Sequence, residues 1–140
     1  MHPSIFVLVC LVGCGATQAA APPGIFFPTF ELGGPHPLAI IEGSLVEQDG
    51  CLFVTAHSER WLPLWPDGYS AKRSGDAIEV LSEDGRVIGR TGHPIRLGGG
   101  EARPTEVGGF AATDAWAKEL TGQNAPDRCG HQYWLATGPA

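Results

Sequence analysis

The chain has 140 residues, which is enough for one domain of ordinary size and too few for two. Its twenty glycines and twelve prolines favour turns and short strands over long helices. The formal net charge is −6 and no stripe of basic residues is visible, so nucleic-acid binding is disfavoured because an acidic domain repels phosphate backbones.

Residues 1–20 have the pattern of a secretion signal. Residues 5–12 form an unbroken apolar run, and small residues follow it before Pro22 and Pro23. The run is too short to cross a bilayer as a helix, which takes about 20 apolar residues, but it suits the core of a signal peptide. We therefore expect export to the outside of a bacterial cytoplasmic membrane.

Two cleavage sites compete in this segment. Leu11-Val12-Gly13-Cys14 resembles the lipobox of bacterial lipoproteins, in which the peptide is cut before the cysteine and the cysteine is acylated, with palmitate among the usual chains. Several acyl chains on Cys14 would hold the protein at a membrane, the outer one if the cell has one, because Gly15 and not Asp follows. The alternatives are ordinary cleavage after Ala19, which gives a secreted or periplasmic soluble protein, and an uncleaved anchor or a misread start of the chain.

Residues 21–37 are rich in Pro and Gly and predict a tether between the leader and the domain. The segment is nevertheless too apolar for a solvated string, so we expect it to pack on the domain or lie near the lipid surface. The apolar residues concerned are Ile25, Phe26, Phe27, Phe30 and Leu32.

Residues 38–140 have the pattern of a β-rich domain. Asp49-Gly50 separates two apolar runs and predicts a hairpin, because both positions of a tight turn need positive φ. Asp84-Gly85 predicts a second hairpin in the same way. A further strand is predicted over residues 93–97, ended by the glycines at 98–100, which favour a bulge or turn, and a last strand over residues 133–136.

Residues 61–69 carry the main aromatic candidate surface. Pro63 lacks an amide donor, which predicts an edge strand or an extended loop here. On a strand, Trp61 and Trp65 share one face, and together with Tyr69 they would suit a protein or glycan partner if exposed. The alternative, which we favour, is that these rings close the end of a barrel.

A single short helix is predicted near the carboxyl end. Thr113 or Asp114 can cap it, residues 115–120 favour it, and Gly122 can end it. Six or seven short strands with one helix predict an all-β fold, a small OB-like or SH3-like barrel, because closure removes exposed strand edges.

The two cysteines of the body, Cys51 and Cys129, lie far apart in the sequence. In an exported domain such a pair is expected to form a disulfide, and the alternative is two separate buried thiols.

Five short motifs follow one another along the body. In this order they resemble a family of uncharacterised exported bacterial domains, often lipoproteins. The resemblance implies a β-barrel body and a disulfide between Cys51 and Cys129, and it implies no activity. The motifs are Gly50-Cys51-Leu52, Leu64-Trp65-Pro66-Asp67-Gly68, Asp84-Gly85-Arg86-Val87, Leu97-Gly98-Gly99-Gly100, and Cys129 followed by Tyr133-Trp134.

No grouping with the spacing of a catalytic or metal site is visible. The four body histidines, His36, His57, His93 and His131, lack ligand spacing, and no serine lies in a G-x-S-x-G elbow. We therefore predict no cofactor and no metal, and expect a membrane-anchored envelope lipoprotein that is a binding or structural module. The alternative is a small envelope hydrolase or metal-dependent enzyme using His57 or His93 with a nearby acid.

Overall fold

The computed structural model describes residues 20–102 and 109–140, so the signal segment, the lipobox with Cys14 and the two cleavage sites fall outside the described residues. Short strands dominate the described part, with one α-helix. In chain order they are β1 (Thr29–Phe30), β2 (Ala39–Gln48), β3 (Cys51–Ala56), β4 (Glu59–Pro66), β5 (Ser70–Ser74), β6 (Ala77–Leu81), β7 (Val87–Arg90), β8 (Pro94–Glu101), α1 (Gly109–Thr121), a 3₁₀ turn (Asp127–Cys129) and β9 (Tyr133–Pro139).

Five strands form a closed ring of backbone pairings. Antiparallel pairs join β2 to β3 and β8, β3 to β4, and β8 to β9. A parallel pair between β4 and β9, from Leu62 opposite Tyr133 to Leu64 opposite Leu135, closes the ring. In this ring β2 lies between β3 and β8, and β4 lies beside β9. This is an OB-like strand order. The predicted small all-β barrel with one short helix is confirmed.

Strands β5, β6 and β7 form a second, three-stranded sheet, and they lie between β4 and β8 in the chain. Both predicted hairpins are confirmed. Asp49 and Gly50, with φ of 52° and 81°, turn β2 into β3, and the turn containing Gly85 joins β6 to β7. Positive φ at both turn positions matches the right-handed twist of the flanking strands.

The second sheet covers the barrel. Ile78 and Val80 of β6 belong to the same buried cluster as Leu45 of β2. Gly89 of β7 makes this approach close, since a Cβ there would lie 2.6 Å from the Ile95 side chain. The second sheet therefore extends the barrel core.

β4 lies inside the main sheet, and the prediction of an edge strand or loop over residues 61–69 is wrong. Proline is tolerated at Pro63 because of the local pairing. The Leu62 amide donates to the Gln132 carbonyl of the β9 side, so the amide position of the next residue points the other way. On that other side, the pairing with β3 extends to Trp61. The missing donor of Pro63 therefore interrupts neither the pairing of β4 with β3, which ends at Trp61, nor the Leu62 hydrogen bond.

The prediction that the glycines at 98–100 end their strand is wrong. They lie inside β8, which continues to Glu101, at a bulge between Gly98 and Gly99. Gly99 has φ of 139°, and a Cβ there would lie 1.8 Å from the Leu135 carbonyl oxygen. Glycine is therefore required by the close approach of β9, a contact that is distant in sequence. The bulge itself was predicted.

Helix α1 begins at Gly109, earlier than predicted, so Thr113 and Asp114 lie within it and do not cap it. Thr113 and Ala117 are buried, and Ala117 packs in one cluster with residues of the barrel wall. The predicted end is correct, because the Gly122 amide donates to the Lys118 carbonyl at 2.8 Å. Within the described ranges, no helix has both the length and the hydropathy needed to cross a membrane.

The buried side chains form two clusters, one on each side of the barrel wall. The inner cluster contains Leu45, Val54, Leu97 and their neighbours. The outer cluster lies between the wall and the elements that cover it, which are α1, β1 and the 3₁₀ turn. It comprises Phe30, Cys51, Phe53, Leu62, Leu64, Ala117, Cys129 and Tyr133.

Candidate functional site

The tryptophans of β4 are buried, so Trp61 and Trp65 do not form the exposed surface that would suit a partner. Trp61 is 8% exposed and Trp65 is 1% exposed. The tryptophans could be exposed only if solvent reached their face of β4 while the leucines of the other face packed in the core. In the structure Leu62 and Leu64 are also buried, because α1 and the disulfide cover the outside of the wall. The favoured alternative, that the rings pack, agrees with this burial.

Tyr69 is the member of the predicted surface that reaches solvent. Its ring stacks on Trp65 with centroids 6.5 Å apart, and Trp65 stacks on Phe27 at 5.4 Å. Phe27 belongs to the predicted tether, whose residues 27, 28 and 30 are buried, in agreement with the expected packing. Buried Trp65 therefore holds the Tyr69 ring at the surface, and Phe27 supports Trp65 from its other neighbour position in the stack.

A cleft of about 710 Å³ opens beside Tyr69, at the carboxyl end of β4. We call it the Tyr69 cleft. Four carboxylate side chains line it and one guanidinium, that of Arg86, accompanies them. Its lining residues are Glu31, Leu32, Pro66, Asp67, Tyr69, Ser82, Glu83, Asp84, Arg86 and Pro139.

The Tyr69 cleft carries a negative field. Burial is the main cause that raises the pKa of the Tyr69 hydroxyl; the charge of Asp84 raises it further, Arg86 lowers it, and Glu83 adds the smallest increase. The Ser82 hydroxyl donates to Asp84 and holds the pKa of that carboxyl below its usual range. Asp84 therefore remains ionised at neutral pH, and the site favours a cationic group.

Cys51 and Cys129 are joined by a disulfide with Cα atoms 5.5 Å apart. Both half-cystines are completely buried in the outer cluster. The bond attaches the 3₁₀ turn to the start of β3, and Arg128 reinforces the same junction by donating to the Asp49 carbonyl at 2.7 Å. It thereby fixes the segment that leads into β9.

A second cleft, of about 410 Å³, lies at the opposite, amino end of β4. We call it the His131 cleft. Arg60 forms part of its wall, with the guanidinium 4.7 Å from the centroid of the Phe53 ring and a hydrogen bond to Gln48. The residues lining the cleft are Phe53, Ser58, Glu59, Arg60, Cys129, Gly130, His131 and Gln132.

A hydrogen-bonded group joins the His131 cleft to α1. Asp114 accepts from the His131 Nδ1 atom at 2.7 Å with one oxygen and from the Tyr133 hydroxyl at 2.6 Å with the other. Burial and this carboxylate raise the pKa of Tyr133 well above its usual range, so the phenol stays protonated and donates. Sequence reasoning missed this group because the carboxylate lies 17 residues before the histidine, and no local spacing indicates the contact.

The other predicted histidines lie elsewhere. His57 and His93 are exposed, the first in the β3–β4 turn and the second before β8, and His36 contacts the carbonyl of Gly34. In the part of the chain that the structure describes, no group of three or more His, Cys, Asp or Glu side chains is arranged to hold a metal ion.

No protein-family model, no curated protein and no solved structure matches this chain.

Proposed function

We propose that this chain is an exported, lipid-anchored domain of the bacterial cell envelope that binds a basic segment of a partner protein in the Tyr69 cleft. Export is supported by the apolar leader and by the disulfide, since disulfides persist in oxidising compartments and are rare in the cytosol. The lipobox ending at Cys14 and the likeness to exported lipoprotein domains support the anchor.

A lipid on Cys14 would hold the domain close to the membrane. The carbonyl of Ala20 accepts a hydrogen bond from the Ala71 amide of β5 at 2.7 Å. Ala20 lies six positions after Cys14, and an extended chain of six residue steps spans about 20 Å at most. The proposed anchor is therefore short, and β5 would face the bilayer side.

One observation carries the proposed binding activity: an immobilised aromatic ring stands among carboxylates. A tyrosine face attracts lysine and arginine side chains, and nearby carboxylates supply the opposite charge. Tyr69 is held by Trp65, while Asp67 and Glu83 contribute negative charge to the same cleft. A basic peptide segment satisfies both features at once.

The binding test uses the full chain and a fluorescent hexalysine peptide, with fluorescence anisotropy as the measurement. Tyr69→Ala removes the cation–π contact, worth about 0.5–2 kcal/mol, and should weaken binding by about 2- to 30-fold. The double variant Asp67→Lys, Glu83→Lys should weaken it by more than about tenfold because it reverses two of the four negative charges that line the cleft.

Asp76→Lys is the matched control, because Asp76 is an exposed carboxylate in the β5–β6 turn, away from the Tyr69 cleft. It should change the affinity for hexalysine by less than about twofold, since exposed charges a Debye length away are screened. An equal loss of binding in this control would contradict the proposal, because it would show attraction by net charge alone.

The anchor is tested separately, by mass spectrometry of the mature amino terminus of protein extracted from membranes. We expect acylated Cys14 as the first residue. A first residue of Ala20 would contradict the anchor in favour of free secretion, and a retained Met1 would contradict export by cleavage.

A further inference from the structure

The root of the proposed anchor is fixed on the surface of the domain. Ala20, the first described residue, accepts a hydrogen bond from the Ala71 amide at 2.7 Å, which places it beside β5. The chain that follows packs on the barrel, because Phe26 forms a parallel bridge with Cys51 at the start of β3. No described residue lies closer to Cys14 along the chain, so the surface around Ala20 is the part of the fold that the anchor holds nearest to the membrane.

A pair of cations lies next to this root, on β5. Lys72 and Arg73 follow Ala71 directly, and both side chains are exposed. Within the described ranges, neither side chain belongs to an ion pair. Glu79 lies opposite Lys72 in the sheet, but it lies opposite Arg90 as well, so two cations flank one anion in this row. Lys72 and Arg73 are therefore free to bind an external anion.

The charge of this sheet differs in sign from the charge of the chain. Strands β5, β6 and β7, with the turn at residues 75–76, carry three cations and two anions, whereas the net charge of the chain is −6. The acidic residues of the β6–β7 turn line the Tyr69 cleft instead. Because like charges repel, a negatively charged surface favours contact with β5 over contact with the acidic cleft.

The anchor root also forms one side of an uncharged groove of about 360 Å³. Among the described residues, its lining consists of residues 20–27 and Gln123, none of which is charged. Ile25 and Phe26 are partly exposed there. Apolar side chains beside cations match the boundary between the headgroups and the acyl chains of a bilayer, where both kinds of group are favourably placed.

We propose that residues 20–27 together with Lys72 and Arg73 form a docking face that rests on a membrane surface of anionic phospholipids. Lys72 and Arg73 bind headgroup phosphates, and Ile25 and Phe26 lie at the boundary with the acyl chains. This docking rests on the anchor at Cys14 that forms part of the proposed function. It gives one occupant, the bilayer, to the cations and to the groove.

The short anchor makes the orientation of the domain sensitive to these cations. Six residue steps reach about 20 Å at most, whereas charge attraction at physiological ionic strength is screened within about 8 Å. The cations therefore act only when the docking face turns to the bilayer. Each Lys or Arg at an anionic surface favours the docked orientation by a factor of about five, so two favour it by about 25-fold.

The acetylation rate of Lys72 measures docking, because an amine held on a headgroup phosphate is shielded from a reagent in water. Acylated protein is extracted from membranes, and its amino terminus is checked by mass spectrometry. It is then added to preformed vesicles of phosphatidylcholine, either alone or with phosphatidylglycerol at about two to one, and treated with sulfosuccinimidyl acetate. Peptide mass spectrometry gives the rate at each lysine.

His57→Lys supplies an internal reference in the same molecule. Position 57 is exposed in the β3–β4 turn, at the opposite end of β3 from Cys51 and its partner Phe26. The rate at Lys72, divided by the rate at position 57, should fall by at least about fivefold when phosphatidylglycerol is present. The reference corrects for any general exclusion of the anionic reagent from the vesicle surface.

Arg73→Gln and Arg96→Gln are matched variants, because each removes one exposed cation and changes the net charge equally. Arg96 lies on β8 in an exposed pair with Glu42, outside the docking face, and loss of such a pair costs little stability. Arg73→Gln should raise the Lys72 rate ratio on the anionic vesicles by about fivefold. Arg96→Gln should change it by less than about twofold.

The possible failures are distinguishable. Equal Lys72 rate ratios on neutral and anionic vesicles would overturn the docking and leave the anchor and the Tyr69 cleft standing, since hexalysine binding is measured without lipid. An equal rise in Arg73→Gln and Arg96→Gln would overturn it too, because it would show attraction by net charge. A mature amino terminus without lipid on Cys14 would overturn the anchor and the docking together, before any vesicle is used.

Discussion

Replacing both Cys51 and Cys129 with alanine is expected to lower the free energy of unfolding by roughly 4–5 kcal/mol. The bond joins residues 78 positions apart, so it removes much of the conformational freedom of the unfolded chain. It also lies in the outer cluster, where both half-cystines are completely buried. The expected decrease in thermal midpoint is roughly 15 °C for a domain of this size.

The measurement is thermal unfolding with and without a thiol reductant. The reductant should lower the midpoint of the wild type towards that of the Cys51→Ala, Cys129→Ala double variant and leave the double variant unchanged. That variant therefore serves as the control for direct effects of the reductant. Equal midpoints for oxidised wild type and double variant would show that the bond contributes nothing to stability.

Trp65→Ala is expected to lower the free energy of unfolding by about 3–5 kcal/mol, because it leaves a large cavity in the inner cluster. Trp65 is 1% exposed and contacts the rings of Phe27 and Tyr69, so the change also removes two stacking contacts. Urea unfolding followed by circular dichroism is the measurement, since tryptophan fluorescence is itself altered by the substitution.

Trp116→Ala is the matched control, because Trp116 of α1 is 38% exposed. It should cost less than about 1 kcal/mol, in the range of ordinary surface changes. If Trp65→Ala cost no more than Trp116→Ala, the stack would not be part of the core.

The features of the fold that were predictable are those encoded locally. Asp49 and Gly50 both supply the positive φ that a tight hairpin needs, and Gly85 supplies it in the longer turn between β6 and β7, so both turns follow from Asp-Gly dipeptides. The closing contact of the barrel is the opposite case. The parallel pair of β4 and β9 joins Leu62 to Tyr133, and no pattern within either strand specifies that partner.

The candidate sites show the same division. The alternation of Trp and Leu along β4 correctly indicates two faces, but it cannot indicate that both faces are covered. That covering depends on α1, which the sequence places far from β4. The contact of Asp114 with His131 likewise requires a helix and a strand to meet, so the composition of neither element predicts it.

The outer side of the barrel wall has a consequence for how any ligand can approach. In OB-type barrels the surface of the second and third strands is the usual platform for extended chains of nucleotides or sugars. Here those strands are β3 and β4, and Phe53, Leu62 and Leu64 on that surface are packed in one buried cluster with Ala117 of α1. Helix α1 therefore covers this surface, and a ligand of the proposed kind would have to bind at the clefts that flank the two ends of β4.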